Sequence, residues 1–467
     1  MTPSSVAQFM ASLFLSSTGP QIRLLDAGAG VGCLSMAFLE RWLAGGFAAQ
    51  SVQLTAYEID LALQTPLGHY LDLYSSRAQN ANLDLTIDIL PCDFIEDAIN
   101  RLQFGGRQDF THVILNPPYR KIHSQSRERR LLRAVGLETV NLYTGFLGLA
   151  IEAAGDRGQI VAIVPRSFCN GLYYRPFREF LLGRAAIKCI HLFASRDRAF
   201  RDDDVLQENI IIHLIKEWPQ GRVTVSTSTD DTFSDYTSRE YLFDQIVNPS
   251  DTGHFIHVPT GPAGDGNEIS ASVQSSLPDI GVEVSTGPVI DFRVKKHLRA
   301  DLEPGTAPLL YPGHFISRRV RWPRRDMKKP NALALHVETR KWLYPSGFYV
   351  VVRRFSAKEE KRRIVASVVD PCCLPGPFIG FENHLNVFHS GGKGLTEELA
   401  YGLMAYLNST VVDEYFRRFS GHTQVNATDL RALPYPSRRV LLELGQWAKA
   451  QAELSQERID RQVAAAA

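Results

Sequence analysis

The feature that most constrains this 467-residue chain is an alternation of strand-like and helix-like segments. Between Gln21 and Lys216 the apolar runs IRLLDAG, VQLTAYEI, LTIDIL, THVILNPPY, QIVAIV and NIIIHLI are separated by longer stretches. Two of these stretches, Cys33 to Ala44 and Leu142 to Ala153, have the composition of helices. Strands that take turns with helices form βαβ crossovers, and such crossovers lay their strands side by side in parallel. The runs are apolar at nearly every position rather than at every second one, as expected when helices cover both faces of the sheet. The sequence therefore predicts an α/β fold, a Rossmann-like and mostly parallel sheet, over residues 1–247.

The rest of the chain reads differently. Residues 248–278 collect Pro, Gly, Ser, Thr and Asp and are expected to form a linker. Residues 279–437 are irregular and rich in Arg, Pro and aromatics, with one helix expected from Leu395 to about Phe419. Residues 438–467 are expected to form a C-terminal helix. A chain of this length has enough core for two or three domains.

Lys and Arg (51) nearly cancel Asp and Glu (50), so bulk charge does not announce a nucleic-acid partner. Any such partner must show in how the charge is distributed. The six cysteines, Cys33, Cys92, Cys169, Cys189, Cys372 and Cys373, lack the CxxC spacing of a zinc site, and no signal peptide precedes them. No apolar segment approaches the roughly 20 residues needed to span a bilayer. The expectation is a cytoplasmic protein without a structural metal or a membrane anchor.

Chemistry-bearing residues stand at successive strand ends. LLDAGAGVGCLSMAFLE places Asp26, Gly28, Gly30 and Gly32 between an apolar strand and a helix, where glycines let the backbone approach a ligand closely. The spacing differs from the dinucleotide fingerprint GxGxxG, and alone it describes only a tight turn. The next strand ends at Glu58, in AYEID, where a ribose-binding acid belongs. Asp93, in PCDFIE, follows the third strand and is placed to accept a hydrogen bond from an adenine amino group. Each carboxylate taken singly is an ordinary loop residue or helix cap. Three successive strand ends with matching groups describe one shared crevice for a nucleoside.

The fourth strand ends in Asn116, Pro117, Pro118 and Tyr119. Two prolines fix an extended backbone and stop the strand. An exocyclic amino group conjugated to a ring is a poor nucleophile, because its lone pair is delocalised. Two acceptors, the Asn116 side-chain oxygen and the Pro117 carbonyl, are suited to hold both amino hydrogens and favour a pyramidal nitrogen. That nitrogen then attacks a sulfonium methyl in line, so positioning and electrostatics carry much of the barrier reduction. Tyr119 supplies an aromatic face on which an extruded base stacks.

In this order the segments resemble the gamma-class adenine-N6 DNA methyltransferases of restriction-modification systems, the TaqI- and PstI-like group. The resemblance is carried by TPSSVAQFM at Thr2 to Met10, DAGAGVG at Asp26 to Gly32, Glu58, CDF with Asp93, and NPPY at Asn116 to Tyr119. NLYTGFLGLAI from Asn141 and QIVAIVPRSF from Gln159 resemble later catalytic motifs, and SGHTQVNATDLRALPYP resembles the tail of a recognition domain. It implies a SAM-dependent methyltransferase sheet with S-adenosylmethionine as cofactor, Thr2 as a further cofactor contact, and a carboxyl-terminal α+β target-recognition domain. It also implies an aromatic on the other face of the extruded adenine. Phe200 is the candidate, beside an unusual acidic insertion, Asp202 to Asp204.

A double-stranded DNA partner is expected along the later basic segments. Seven of the twelve residues from Arg318 to Lys329 are Lys or Arg, including Arg318, Arg319, Arg324 and Arg325. A second cluster runs through Arg353, Arg354, Lys358, Lys361, Arg362 and Arg363, with Trp322 and Phe355 interleaved. Short charge runs are commonly solvated surface; here the aromatics and the polar Gln424 and Asn426 favour DNA contact. RKIHSQSRERR after Tyr119 is a further candidate for phosphate contacts. A monomer with a separately encoded restriction endonuclease is expected. Methylation of RNA adenine, methylation of a protein glutamine, and a catalytically silent DNA-binding subunit remain open alternatives.

Overall fold

The computed structural model describes residues 2–16, 19–106, 109–193, 208–249, 251, 253–259, 273, 275–356, 360–419, 424–451 and 453–466. The chain forms two compact units, Met1–Thr260 and Gly261–Ala467. In the first, nine strands among the described residues make one sheet, in the order β3-β2-β1-β4-β5-β7-β6-β8-β9. They are β1 (Gln21–Ala27), β2 (Ser51–Tyr57), β3 (Asp84–Leu90), β4 (Phe110–Leu115), β5 (Ala154–Pro165), β6 (Ala185–Phe193), β7 (Asn209–Lys216), β8 (Arg222–Ser228) and β9 (Thr237–Leu242). β1 to β5 run parallel, and β7 runs antiparallel to both β5 and β6. The fold is the expected α/β sheet, parallel where the ligand crevice was expected and mixed as a whole.

Consecutive residues of the central strands enter opposite cores, which explains their unbroken apolar character. Leu25, Val113, Ile160 and Ala162 join a core with Phe94 and Ile99 of α4 (Phe94–Gln103) and Leu147 and Ile151 of α6 (Leu142–Ala153). Leu24, Ile114, Val161 and Ile163 join the other core, with Met10 of α1 (Ser4–Ser12), Phe38 of α2 (Cys33–Leu43) and Leu67 of α3 (Leu61–Asn80). Full burial of each Leu, Ile, Val, Phe or Met side chain among them contributes about 1.5–3 kcal/mol. α5 (Arg127–Ala134), α7 (Arg175–Arg184) and the single turn α8 (Phe243–Ile246) complete the unit's α-helices among the described residues.

Three strands lie outside the apolar pattern. β6 carries Lys188 and His191, β8 reads RVTVSTS and β9 reads TSREYL. Across β6 and β8 buried His191 bonds Ser226 Oγ at 2.9 Å and Ser228 Oγ at 3.1 Å, while β9 is mostly exposed to solvent. Phe255, Ile256 and Val258, inside the stretch whose composition suggests a linker, are buried, and Ile256 and Val258 belong to the first unit's core.

The second unit holds two sheets, β10-β20-β17-β18-β14-β13 and β11-β15-β12-β19-β16. Their strands are β10 (Glu283–Thr286), β11 (Leu298–Arg299), β12 (Thr306–Leu310), β13 (Phe315–Ile316), β14 (Arg319–Val320), β15 (Ala332–Ala334), β16 (Leu343–Pro345), β17 (Tyr349–Arg353), β18 (Ala366–Val369), β19 (Phe378–Phe381) and β20 (Leu385–His389). The single helix expected from Leu395 to Phe419 is two, α10 (Glu397–Leu407) and α11 (Thr410–Phe419), preceded by the short α9 (Val337–Arg340). Asn408 causes the break: its side chain accepts from the Ala366 N–H and donates to the Ala366 carbonyl on β18. α12 (Ala427–Arg431) follows, and the expected C-terminal helix is likewise two, α13 (Arg438–Ala450) and α14 (Gln456–Ala466). α10 and α13 approach so closely that a Cβ on Gly402 would stand 1.9 Å from the Leu441 carbonyl oxygen.

Candidate active site

Open α/β sheets bind ligands beyond the carboxyl ends of their strands, where the strand order reverses. Here the reversal lies at β1, flanked by β2 and β4. A cleft of about 510 Å³ opens there, lined by residues that follow β1, β2, β3 and β4 together with Thr2. After β1 the chain turns through Gly28, Gly30 and Gly32 at φ +93°, +59° and +89°, which side chains with a Cβ rarely adopt. The turn is tied to β2: Gly28 and Ala29 donate to the Tyr57 carbonyl at 3.1 and 2.8 Å. Glu58, buried at 8% exposure, completes the tie, with Oε2 accepting from Gly30 N and Oε1 from Asp60 N, both at 2.7 Å. Asp93 caps α4 through Oδ1, which accepts from Ile95 N at 2.7 Å and Glu96 N at 3.2 Å.

The other side of the cleft is the end of β4. Asn116, Pro117, Pro118 and Tyr119 all line it. Asn116 is held at both ends of its carboxamide: Nδ2 donates to Thr2 Oγ1 at 2.9 Å, and Oδ1 accepts from the Tyr119 hydroxyl at 2.9 Å. The Tyr119 hydroxyl also lies 3.4 Å from the Ile163 carbonyl. Its ring meets Tyr143 edge-on at 6.3 Å, which holds the plane of the Tyr119 ring. A carboxamide oxygen, an aromatic face and an oriented carboxylate therefore share one cleft.

Two of the residues expected to bind cofactor stand elsewhere. Asp26 is fully buried beneath the glycine turn, where Oδ2 accepts from Ser35 Oγ at 2.6 Å. Burial pushes its carboxyl up to about 7. Gly32 is the N-cap of α2, and a Cβ there would meet Leu67 Cδ1 at 2.8 Å, so this glycine serves the contact with α3 rather than the cleft. Phe200 lies outside the described residues. Ile59, Phe94 and Phe146 also line the cleft and were not singled out from the sequence. Ile59 and Phe94 each directly follow an acid of the crevice, a signal that was available; Phe146 sits in an apolar helix and gives none.

Relatives decide the family. Over 452 residues the chain is 50% identical to the Type II methyltransferase M.BsuBI of Bacillus subtilis, covering 96% of this chain and 89% of that one. The chain belongs to this methyltransferase family. It is also 43% identical to the Type II methyltransferase M.PstI of Providencia stuartii, covering 95% of this chain and 88% of that one. Residues 37–200 match the Eco57I restriction-modification methylase family. Among solved structures, the Type IIL restriction-modification enzyme MmeI in complex with DNA has a similar fold. Its TM-score is 0.56 at 11% identity, over 98% of this chain and 69% of MmeI. The DrdV–DNA complex matches with a TM-score of 0.51 at 11% identity, over 96% of this chain and 56% of DrdV.

In the second unit of the methyltransferase, runs of basic residues in sequence are not runs on the surface. Arg318 is partly buried and donates to the Leu454 carbonyl and to Gln456 Oε1. Arg324 donates to the Gly313 carbonyl and pairs with Asp326. Arg319 and Arg325 are exposed, with Arg325 only loosely paired, 3.5 Å from Asp301. In the second cluster Arg363 is 1% exposed, its guanidinium 5.3 Å from the centre of the Phe416 ring, and Arg362 bonds the Ser409 carbonyl. Lys358 lies outside the described residues. Asn426 caps α12 and donates through Nδ2 to Asp429, whereas Gln424 is half-exposed beside Phe355. In the first unit Arg127 pairs with Glu96, and Arg129 and Arg133 with Glu138. His297, His336 and Glu338 converge, and the Glu338 carboxylate is already paired with a cation, Lys296 Nζ at 2.8 Å. Among the described residues no helix is long and apolar enough to cross a membrane.

Proposed function

We propose that this methyltransferase uses S-adenosylmethionine to methylate the N6 amino group of an extruded adenine at a specific site in double-stranded DNA. The observation that carries the reading is the convergence of Asn116 and Pro117 with Glu58 and Asp93 in one cleft. The residues present fit the cofactor. Glu58 is already oriented by two backbone N–H groups, Asp93 has its second oxygen without a hydrogen bond among the described residues, and Ile59, Phe94 and Phe146 offer apolar surface to a purine. The bound sulfonium supplies an electrophilic methyl group. The chain supplies the geometry: Asn116 Oδ1 and the Pro117 carbonyl accept the amino hydrogens, and Tyr119 stacks on the base. Phe200 is assigned to the opposite face on the resemblance alone.

The exposed Arg319 and Arg325 are the better candidates for phosphate contact, and Gln424 for base reading. The enzyme is taken to act as a monomer, with its endonuclease on a separate chain. Methyl transfer from labelled cofactor to duplex DNA, RNA and a glutamine-bearing protein, followed by nucleoside analysis, tests the reading. N6-methyladenine in duplex DNA is expected, abolished in Asn116→Ala with cofactor affinity retained. Label in RNA, in protein or on cytosine overturns it.

A further inference from the structure

Resting on the reading of Asn116 as acceptor of the target amino hydrogens, we propose that Thr2 is a positioning residue for methyl transfer, acting by holding the Asn116 carboxamide through its NH2 end. The chemistry needs Asn116 to present Oδ1, and only Oδ1, to the incoming amino group. A carboxamide turned by 180° presents its own N–H donors instead, and donor then faces donor. Two contacts restrain the group. The Tyr119 hydroxyl bonds Oδ1, the same atom the substrate needs, so this contact has to be shared or surrendered when the base arrives. The Thr2 contact lies at the opposite end, on Nδ2, an atom the substrate does not need, so nothing in the reaction requires it to break.

Three further features suit Thr2 to the task. It is 9% exposed, so water competes little for the bond. It immediately precedes Pro3, the N-cap of α1, whose Val6, Ala7 and Met10 are buried at 1% or less, so the hydroxyl is carried on a packed element. Its β-branch restricts χ1, which a serine would not do as strictly. The hydrogen bond that Thr2 Oγ1 accepts from Nδ2 also polarises the amide and makes Oδ1 a stronger acceptor. The contact joins residues 114 positions apart, and it links the opening segment of the chain to the loop where transfer takes place.

The test uses the full-length enzyme with Thr2→Val, which keeps the shape and removes the hydroxyl, and Thr2→Ser, which keeps the hydroxyl. Single-turnover methyl transfer at saturating duplex and S-adenosylmethionine is measured beside cofactor affinity by calorimetry, with melting midpoints as a check on folding. Thr2→Val is expected to slow the transfer step by about 10- to 100-fold, the scale of a displaced reacting group. Because Thr2 also lines the cofactor cleft, affinity is allowed to fall, and the readout is the transfer step at saturating cofactor, where Thr2→Ser is expected to return the rate to within about threefold of wild type. An unchanged rate in Thr2→Val, a loss that serine does not restore, or a loss seen only as weaker cofactor binding would each overturn the proposal. Asn116→Ala, run in parallel, separates the two layers. If it transfers methyl normally, the reading of the site has failed; if it is inactive while Thr2→Val is normal, only the role of Thr2 has failed.

Discussion

Replacing Glu58 by glutamine keeps the shape of the side chain and changes only what its two terminal atoms do. In the wild type both are acceptors, each meeting a backbone N–H at 2.7 Å, from Gly30 and from Asp60. Glutamine has one oxygen, so in either orientation its NH2 faces one of those N–H groups. Gly30 is only partly buried and can turn its N–H to water in the unbound protein, so the cost falls on the binding-competent conformation. Leaving this partly buried donor without its acceptor costs about 1 kcal/mol, the low end of the range for buried groups. The amide also loses the charge that strengthens a hydrogen bond from a ribose hydroxyl. Together these amount to about 2–3 kcal/mol, or roughly a 30- to 150-fold loss of S-adenosylmethionine affinity. Calorimetric titration of Glu58→Gln measures the loss, and single-turnover transfer at saturating cofactor should stay within a few-fold of wild type, because Asn116 is untouched. An affinity within about threefold of wild type, or a defect confined to the transfer step, would refute the assignment of Glu58 to the cofactor.

Two further outcomes follow from the buried and exposed charges. Asp26, with its carboxyl pushed up to about 7 by burial, holds its proton more tightly folded than unfolded, so its contribution favours the fold at low pH and is lost as pH rises towards 7. Between pH 5 and 7 this amounts to about 3 kcal/mol at most. Buried His112, His191 and His213, held down to about 3, 4 and 3, act in the opposite direction, so the quantity to read is the difference between wild type and Asp26→Asn in urea denaturation. That difference should favour the variant increasingly as pH rises; parallel curves would show that Asp26 titrates normally. For DNA, joint neutralisation of Arg319 and Arg325 should weaken binding to any duplex and flatten its dependence on salt by up to about 0.9 per lost phosphate contact. Arg318→Ala should instead lower stability, through its lost bond to the Leu454 carbonyl, and leave the salt slope alone. Anisotropy titrations at several salt concentrations distinguish the two, and the reverse pattern would reassign the phosphate contacts.

What the sequence determined by itself was local. Glycines at a strand-to-helix turn, an acid at the next strand end and two prolines that stop a strand act through backbone geometry within a few residues. Glu58, Asp93 and Asn116 to Tyr119 were therefore legible in order, and the sheet's topology carried them into one cleft. The same local signals could not say which way a neighbouring side chain faces. Asp26 lies beneath the turn that Gly28 and Gly30 form, because its strand residue points into the sheet where Ser35 meets it. Arg363 and Asn426 both read as candidates for DNA contact; the first is buried against Phe416 and the second is the N-cap of α12. β6 and β8 were hidden because their polar residues satisfy each other across strands, and the break at Asn408 because its partner, Ala366, lies on β18. The bond between Thr2 and Asn116 is of this second kind. Periodicity and turn chemistry act over a few residues, whereas the partner of a polar side chain is chosen by packing among segments far apart in the chain, so only the tertiary structure decided it.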